Sequence, residues 1–195
     1  MAAIRNRIYI GSREEPIFYF ENDSILSAGV VQRVALVGTE LSVDSFTPVV
    51  KQKLAAFGIE TVSHVLSGDD QKTIRGEIVK AHGQGIDLIC CTGGMSVDPD
   101  DRTPGAIARS GVKIVTYGAP TLPGAMFCLG YFEDGTPVIG LPGCVMYAKA
   151  TIFDLVLPRI AAGVGLERSD FIRLGHGGLC FGCGECYFPN CSFGK

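Results

Sequence analysis

Apolar residues recur along this chain in two rhythms, one of strands and one of helices. Val34-Ala35-Leu36-Val37 is a short unbroken apolar run ending at Gly38. Such a run reads as a strand buried on both faces and feeding a loop. Beyond it Phe46, Val49, Val50, Leu54 and Phe57 fall on one helical face; Asp44 or Ser45 can cap that helix and Gly58 stops it. Pro48 is tolerable because it lies in the first turn. The plan then repeats: a strand over Glu60 to Leu66, and a helix capped by Asp69 or Asp70 that runs to about His82 with Ile74 and Ile78 inward. Ile86 to Cys91 is nearly all apolar, as in the middle of a parallel sheet. Thr103 can cap a short helix with Pro104 at its first position. Lys113–Tyr117, Ala125–Phe132 and Pro137–Leu141 read as further strands, and Met146 to Leu157 as a helix stopped by Pro158.

Strands alternating with helices predict an α/β fold with three layers, a mostly parallel sheet with helices on both faces. Residues 31–165 would form this domain. Residues 1–30 would be an N-terminal segment in which Ile8-Tyr9-Ile10 and Ile17-Phe18-Tyr19-Phe20 make a hairpin around Gly11 to Pro16, and 166–195 a Cys-rich tail. Ligands bind such sheets beyond the carboxyl ends of the strands. Three segments should therefore meet: Gly38-Thr39-Glu40, Thr92 to Thr103, and Leu141 to Cys144.

Composition narrows the class. With 195 residues, 47% hydrophobic and 19% charged, the chain can bury a sizeable core and is not globally disordered. A net charge of −3 argues against a nucleic-acid protein held by a basic surface. No apolar run approaches the roughly 20 residues of a membrane helix. Arg13, Glu14 and Glu15 interrupt the N-terminal stretch before a signal peptide could form, so a cytoplasmic location is expected. Cys90, Cys91, Cys128 and Cys144 are scattered and read as reduced thiols of the core.

The segment Thr92-Gly93-Gly94-Met95-Ser96-Val97-Asp98-Pro99-Asp100-Asp101-Arg102-Thr103-Pro104 carries the chemistry. Two glycines permit a tight turn and leave amides free to approach an anion. Thr92, Ser96 and Thr103 add hydroxyls, and a following helix start adds N–H groups. Asp98, Asp100 and Asp101 would repel a phosphate there unless a cation intervenes, and Mg²⁺ is the usual bridge.

These residues resemble the molybdopterin-binding domain family of molybdenum-cofactor biosynthesis proteins, which includes the adenylyltransferases, the molybdenum insertases and gephyrin. Thr92-Gly93-Gly94 with Asp101-Arg102-Thr103-Pro104 carries the likeness. Val37-Gly38-Thr39-Glu40-Leu41, Asp69-Asp70 and Leu141-Pro142-Gly143 agree with it, over about residues 31–162. The resemblance implies molybdenum or tungsten cofactor handling, with molybdopterin or its adenylylated form as ligand and Mg²⁺ as the accompanying ion. It places Asp101 in the catalytic role and Thr92, Gly93, Gly94, Ser96, Asp98, Thr103, Glu40, Pro142 and Gly143 around the ligand. It also implies a homo-oligomer, trimer or dimer, and contact with a molybdoenzyme or another protein of the pathway. The reaction stays open between adenylyltransferase and insertase. A non-catalytic cofactor carrier and a competence-damage-like nucleotide hydrolase are the alternatives. Gly105 stands where the adenylyltransferases carry an acidic residue, and Cys144 where the family often has Asn or Ser.

The tail holds Cys180-x₂-Cys183-x₂-Cys186-x₄-Cys191 among glycines. The first three match three corners of a [4Fe–4S] cluster, and four close thiolates also suit structural Zn²⁺. His176 is a spare ligand nearby.

Overall fold

The computed structural model describes residues 7–11, 16–21, 31, 33–39 and 45–195. Strands β1 (Arg7–Gly11) and β2 (Pro16–Glu21) pair antiparallel with Ile8 opposite Phe20, the expected hairpin strands. The main sheet begins with β3 (Arg33–Gly38), followed by α1 (Phe46–Ala55), β4 (Glu60–Leu66), α2 (Gln71–Gly83) and β5 (Leu88–Thr92). Then come α3 (Thr103–Arg109), β6 (Lys113–Tyr117), β7 (Cys128–Tyr131), β8 (Pro137–Leu141), α4 (Ile152–Ala161) and α5 (Arg168–Arg173). Asp70 caps α2, its carboxylate accepting the Thr73 amide at 2.8 Å, and that bond holds its pKa below the usual carboxylate range.

The strand order is β4-β3-β5-β8-β7-β6. β4, β3, β5 and β8 are mutually parallel, and β7 runs antiparallel to both β8 and β6. This is the mostly parallel, three-layer α/β fold that the periodicity predicts. Alternate residues of each strand enter different cores. Val34, Leu36, Leu88, Cys90, Ile139 and Leu141 pack with α1 and α4, while Ala35, Val37, Ile89, Cys91 and Val138 pack with α2 and α3. From β3 the chain moves to one side, to β4, and then crosses to the other, to β5. The carboxyl ends of β3 and β5 therefore flank a topological switch point.

Several elements differ from expectation. Thr103 does not cap α3: Arg102 takes the N-cap position, and the Thr103 hydroxyl goes to the Gly93 carbonyl instead. β5 starts at Leu88 rather than Ile86. The strand expected from Ala125 shortens to Cys128–Tyr131, because Ala125 and Phe127 lend their carbonyls to Ala119 and Gly118 across the preceding loop. The helix expected over 146–157 is instead a 3₁₀ turn, Gly143–Met146, followed by α4 from Ile152. Thr151 and Asp154 form a capping box that fixes the later start. Pro158 lies inside α4 rather than after it. Burial of Ile152, Phe153, Val156, Leu157, Ile160 and Ala161 outweighs the hydrogen bond that Pro158 removes.

Candidate ligand site

Gly38, Thr92 and Leu141 lie side by side in the sheet register, so the loops after β3, β5 and β8 leave from three adjacent strand ends. The Thr39 amide donates to the Thr92 carbonyl at 3.1 Å and binds the first two loops together. Glu40 lies outside the described residues.

The loop after β5 is built around missing side chains. Gly93 and Gly94 have φ of 78° and 56°, a left-handed pair that L residues rarely adopt. A Cβ on Gly93 would lie 2.1 Å from Thr39 Oγ1, and one on Gly94 would lie 2.8 Å from Thr103 Oγ1. Met95 is buried and lies over Gly140 of β8, where a Cβ would come within 2.6 Å of its Cε. The loop is thus keyed into the sheet by a methionine, and the amides of Gly94 and Met95 have no acceptor among the described residues.

The polar residues divide into braces and exposed groups. Thr103 is 1% exposed and donates its hydroxyl to the Gly93 carbonyl at 2.8 Å, so it braces the turn from behind. Thr92 is buried with its Oγ1 against Gly38. Ser96 is exposed, and its amide donates to one carboxylate oxygen of Asp101. Asp98 accepts the Asp100 amide at 3.0 Å, and Asp100 meets Arg102 at 3.4 Å; all three residues are exposed. Pro142 is buried and Gly143 half-buried at the start of the 3₁₀ turn. The helix after the loop, α3, has seven residues and hence little dipole to offer an anion. Gly105 in α3 admits the Gln71 side chain: a Cβ would meet Gln71 Nε2 at 2.0 Å.

Tyr117, at the end of β6, is half-exposed. Burial and then the nearby Asp101 carboxylate raise its phenol pKa, which links it to the loop. No local sequence signal marks Tyr117, because the proximity comes from the sheet order. Tyr147 is exposed. His64 sits within β4 and shares a 2.9 Å hydrogen bond with Thr47 Oγ1. His82 meets Asp134 at 2.8 Å and stacks on Phe132. Two cations near the crevice are engaged: Lys53 with Asp154, and Lys149, whose Nζ donates to the Gly184 carbonyl at 3.2 Å. Arg159 pairs with Asp170 at 3.0 Å.

In the tail Cys183 and Cys186 are exposed, and Cys180 and Cys191 half-buried. His176 is exposed in the 3₁₀ turn Leu174–Gly177. Among the described residues no three His, Cys, Asp or Glu side chains are gathered so as to hold a metal ion. The tail thiols and the loop carboxylates alike are close in sequence without converging in space.

A mostly parallel sheet whose switch point carries a glycine-turned loop defines the doubly wound α/β class, whose ligand sites lie at strand ends. The comparisons narrow the class. Residues 23–162 match the family described as "Probable molybdopterin binding domain", so the chain belongs to the molybdopterin-binding domain family of molybdenum-cofactor biosynthesis. No curated protein matches it. Among solved structures, the molybdopterin biosynthesis enzyme MoaB of Thermus thermophilus is 21% identical with a TM-score of 0.56, covering 71% of this chain and 97% of its own. The tungsten cofactor synthesizing protein MoaB of Pyrococcus furiosus is 16% identical with a TM-score of 0.52, covering 70% and 98%. A protein CinA of unknown function from Thermoplasma acidophilum is 13% identical with a TM-score of 0.54, covering 67% and 98%. At these identities the likeness shows the fold. No helix among the described residues is long and apolar enough to cross a membrane.

Proposed function

We propose that the chain binds a pterin phosphate, or its adenylylated form, in the crevice beyond β3, β5 and β8, within molybdenum or tungsten cofactor biosynthesis. The observation that carries this reading is the Gly93-Gly94 turn, held between Thr39 and Thr103 with the Gly94 and Met95 amides unengaged by any described residue. Those amides would donate to phosphate oxygens without any side chain intervening. Pro142 and Gly143 would form the facing wall, and Ser96 would add its exposed hydroxyl.

Asp101 is the carboxylate suited to an accompanying Mg²⁺. Only one of its oxygens accepts the Ser96 amide, and Mg²⁺ commonly takes one or two protein carboxylates beside substrate phosphates. The ion would supply charge neutralisation between Asp101 and the ligand. Asp98 and Asp100 likewise use one oxygen each on a loop partner, so it is the family resemblance at Asp101-Arg102-Thr103-Pro104 that singles out Asp101. In an adenylyl transfer or its reversal, Asp101 would orient the nucleotide phosphate while the glycine turn fixes the pterin phosphate. The molybdate-insertion and carrier readings use the same cradle.

The test is calorimetry with molybdopterin or its adenylylated form, with and without Mg²⁺. Asp101→Asn preserves an acceptor for Ser96 and removes the charge. It should weaken Mg²⁺-dependent binding about tenfold to a hundredfold, the scale of losing a charge-assisted contact. Asp101→Ala should do the same with a nearly unchanged Tm. Equal Mg²⁺-dependent affinity in both variants rejects the role of Asp101. Gly94→Val should abolish ligand binding in folded protein, and undiminished binding rejects the cradle.

A further inference from the structure

The tail is a loop pinned at both ends against the rim of the crevice. On the way out, the Leu122 amide donates to the Gly178 carbonyl at 2.6 Å and the Cys180 amide to the Leu122 carbonyl at 2.8 Å. On the way back, Phe193 is buried with 2% exposure, and the Gly194 amide donates to the Gly177 carbonyl at 2.7 Å. Gly177 and Gly178 make this closure possible. A Cβ on Gly178 would lie 2.0 Å from the Pro120 carbonyl oxygen, and one on Gly177 would lie 2.2 Å from that of Lys195. Between the pins, residues 181–187 are exposed and contain no helix or strand. Their side chains can regroup without breaking a ladder.

Cys180, Cys183, Cys186 and Cys191 are all free thiols of this loop. Exposed free cysteines are uncommon and prone to oxidation, whereas Cys90, Cys91 and Cys128 of the same chain are fully buried. Gly182, with φ of 63°, supplies a turn between the first two tail cysteines. The pinned ends have already met most of the loop-closure entropy, so drawing four thiolates together costs little further.

We propose that Cys180, Cys183, Cys186 and Cys191 form one tetrathiolate site for a thiophilic metal centre, either Zn²⁺ or an iron–sulfur cluster. Metal would draw the donor set together, as in other small sites whose order comes with the ion. Lys149, in the loop after β8, donates to the Gly184 carbonyl inside this loop, so the centre would form against one wall of the crevice. The site stands or falls independently of the pterin reading.

The experiment uses full-length protein, reduced and stripped of metal under anaerobic conditions. One portion is titrated with Co²⁺ and then Zn²⁺, the other reconstituted with Fe²⁺ and sulfide. The expected result is one centre per chain in one of the two arms. Cobalt–thiolate charge-transfer absorption, displaced by Zn²⁺, identifies a zinc-type site. Brown protein with about four iron and four sulfide per chain identifies a cluster. In the productive arm the four tail thiols should resist alkylation by iodoacetamide. The exposed-site variants Cys183→Ser and Cys186→Ser should each weaken metal binding by more than about tenfold while melting like the parent. Tail thiols alkylated at equal rates with and without metal would overturn the proposal. So would tail thiols that pair as disulfides and bind no metal after reduction.

Discussion

Cys90, Cys91 and Cys128 sit inside the sheet and Cys180, Cys183, Cys186 and Cys191 at its rim, and the two sets have little in common beyond composition. In β5 and β7 the thiols are fully buried, and burial pushes Cys128 up to about 12 and Cys90 and Cys91 well above their ordinary value. They behave as small hydrophobes whose protons are locked on. The tail thiols occupy a loop with water on its outer side. The contrast teaches that a cysteine count says nothing of chemistry until the sheet has sorted which thiols it encloses.

The largest effect that would sharpen this contrast is labelling. With metal-free native protein at pH 8, iodoacetamide should modify the four tail thiols first. The three core thiols should react at least about a thousandfold more slowly, because they wait for unfolding. Mass spectrometry of peptides reads the order, and core labelling at the tail's rate would break the comparison. Next comes stability. Cys90→Ser places a hydroxyl in an apolar core and should cost roughly 1–3 kcal/mol in urea unfolding. Cys183→Ser in metal-free protein should stay within about 0.5 kcal/mol of the parent.

The smallest effect concerns acid. Asp134, in the turn between β7 and β8, is held down to about 2, first by the Thr136 amide and then by His82. A carboxyl depressed below its usual value of about 3.9 stabilises the fold above that pH, and the contribution is lost as pH falls through about 2. Asp134→Asn should flatten the acid limb of the stability profile between pH of about 4 and 2, by under about 1 kcal/mol for so exposed a group. Cys183→Ser should leave that limb unchanged. A tail variant that altered it would show that core and tail do not titrate separately.

Much of this architecture is legible in the residues. The run ending at Gly38, the Asp70 cap and the limits of β6 and β8 follow from periodicity and capping, which are local properties. The misplaced last long helix shows how local signals compete: Cys144-Val145-Met146 looks like a helical start, yet Thr151 and Asp154, three residues apart, carry the stronger one. The bracing of Thr103 behind Gly93, the approach of Tyr117 to Asp101 and the docking of Gly178 on Leu122 were not legible. Each depends on which strands become neighbours or on how the chain returns across the sheet, and no residue window contains that information.

Gly140 and Met95 make one such long-range fit, and its consequence is historical as well as mechanical. The two positions are 45 residues apart in sequence and share one volume. A methyl group gained at 140 would require the tip of Met95 to move while methionine occupies 95, and a shorter residue at 95 leaves a gap while glycine occupies 140. Neither change is easily made first, so the two are expected to be inherited as a pair. Among relatives, the identity of one should forecast the identity of the other, even where the glycine turn between β5 and α3 is spelled differently.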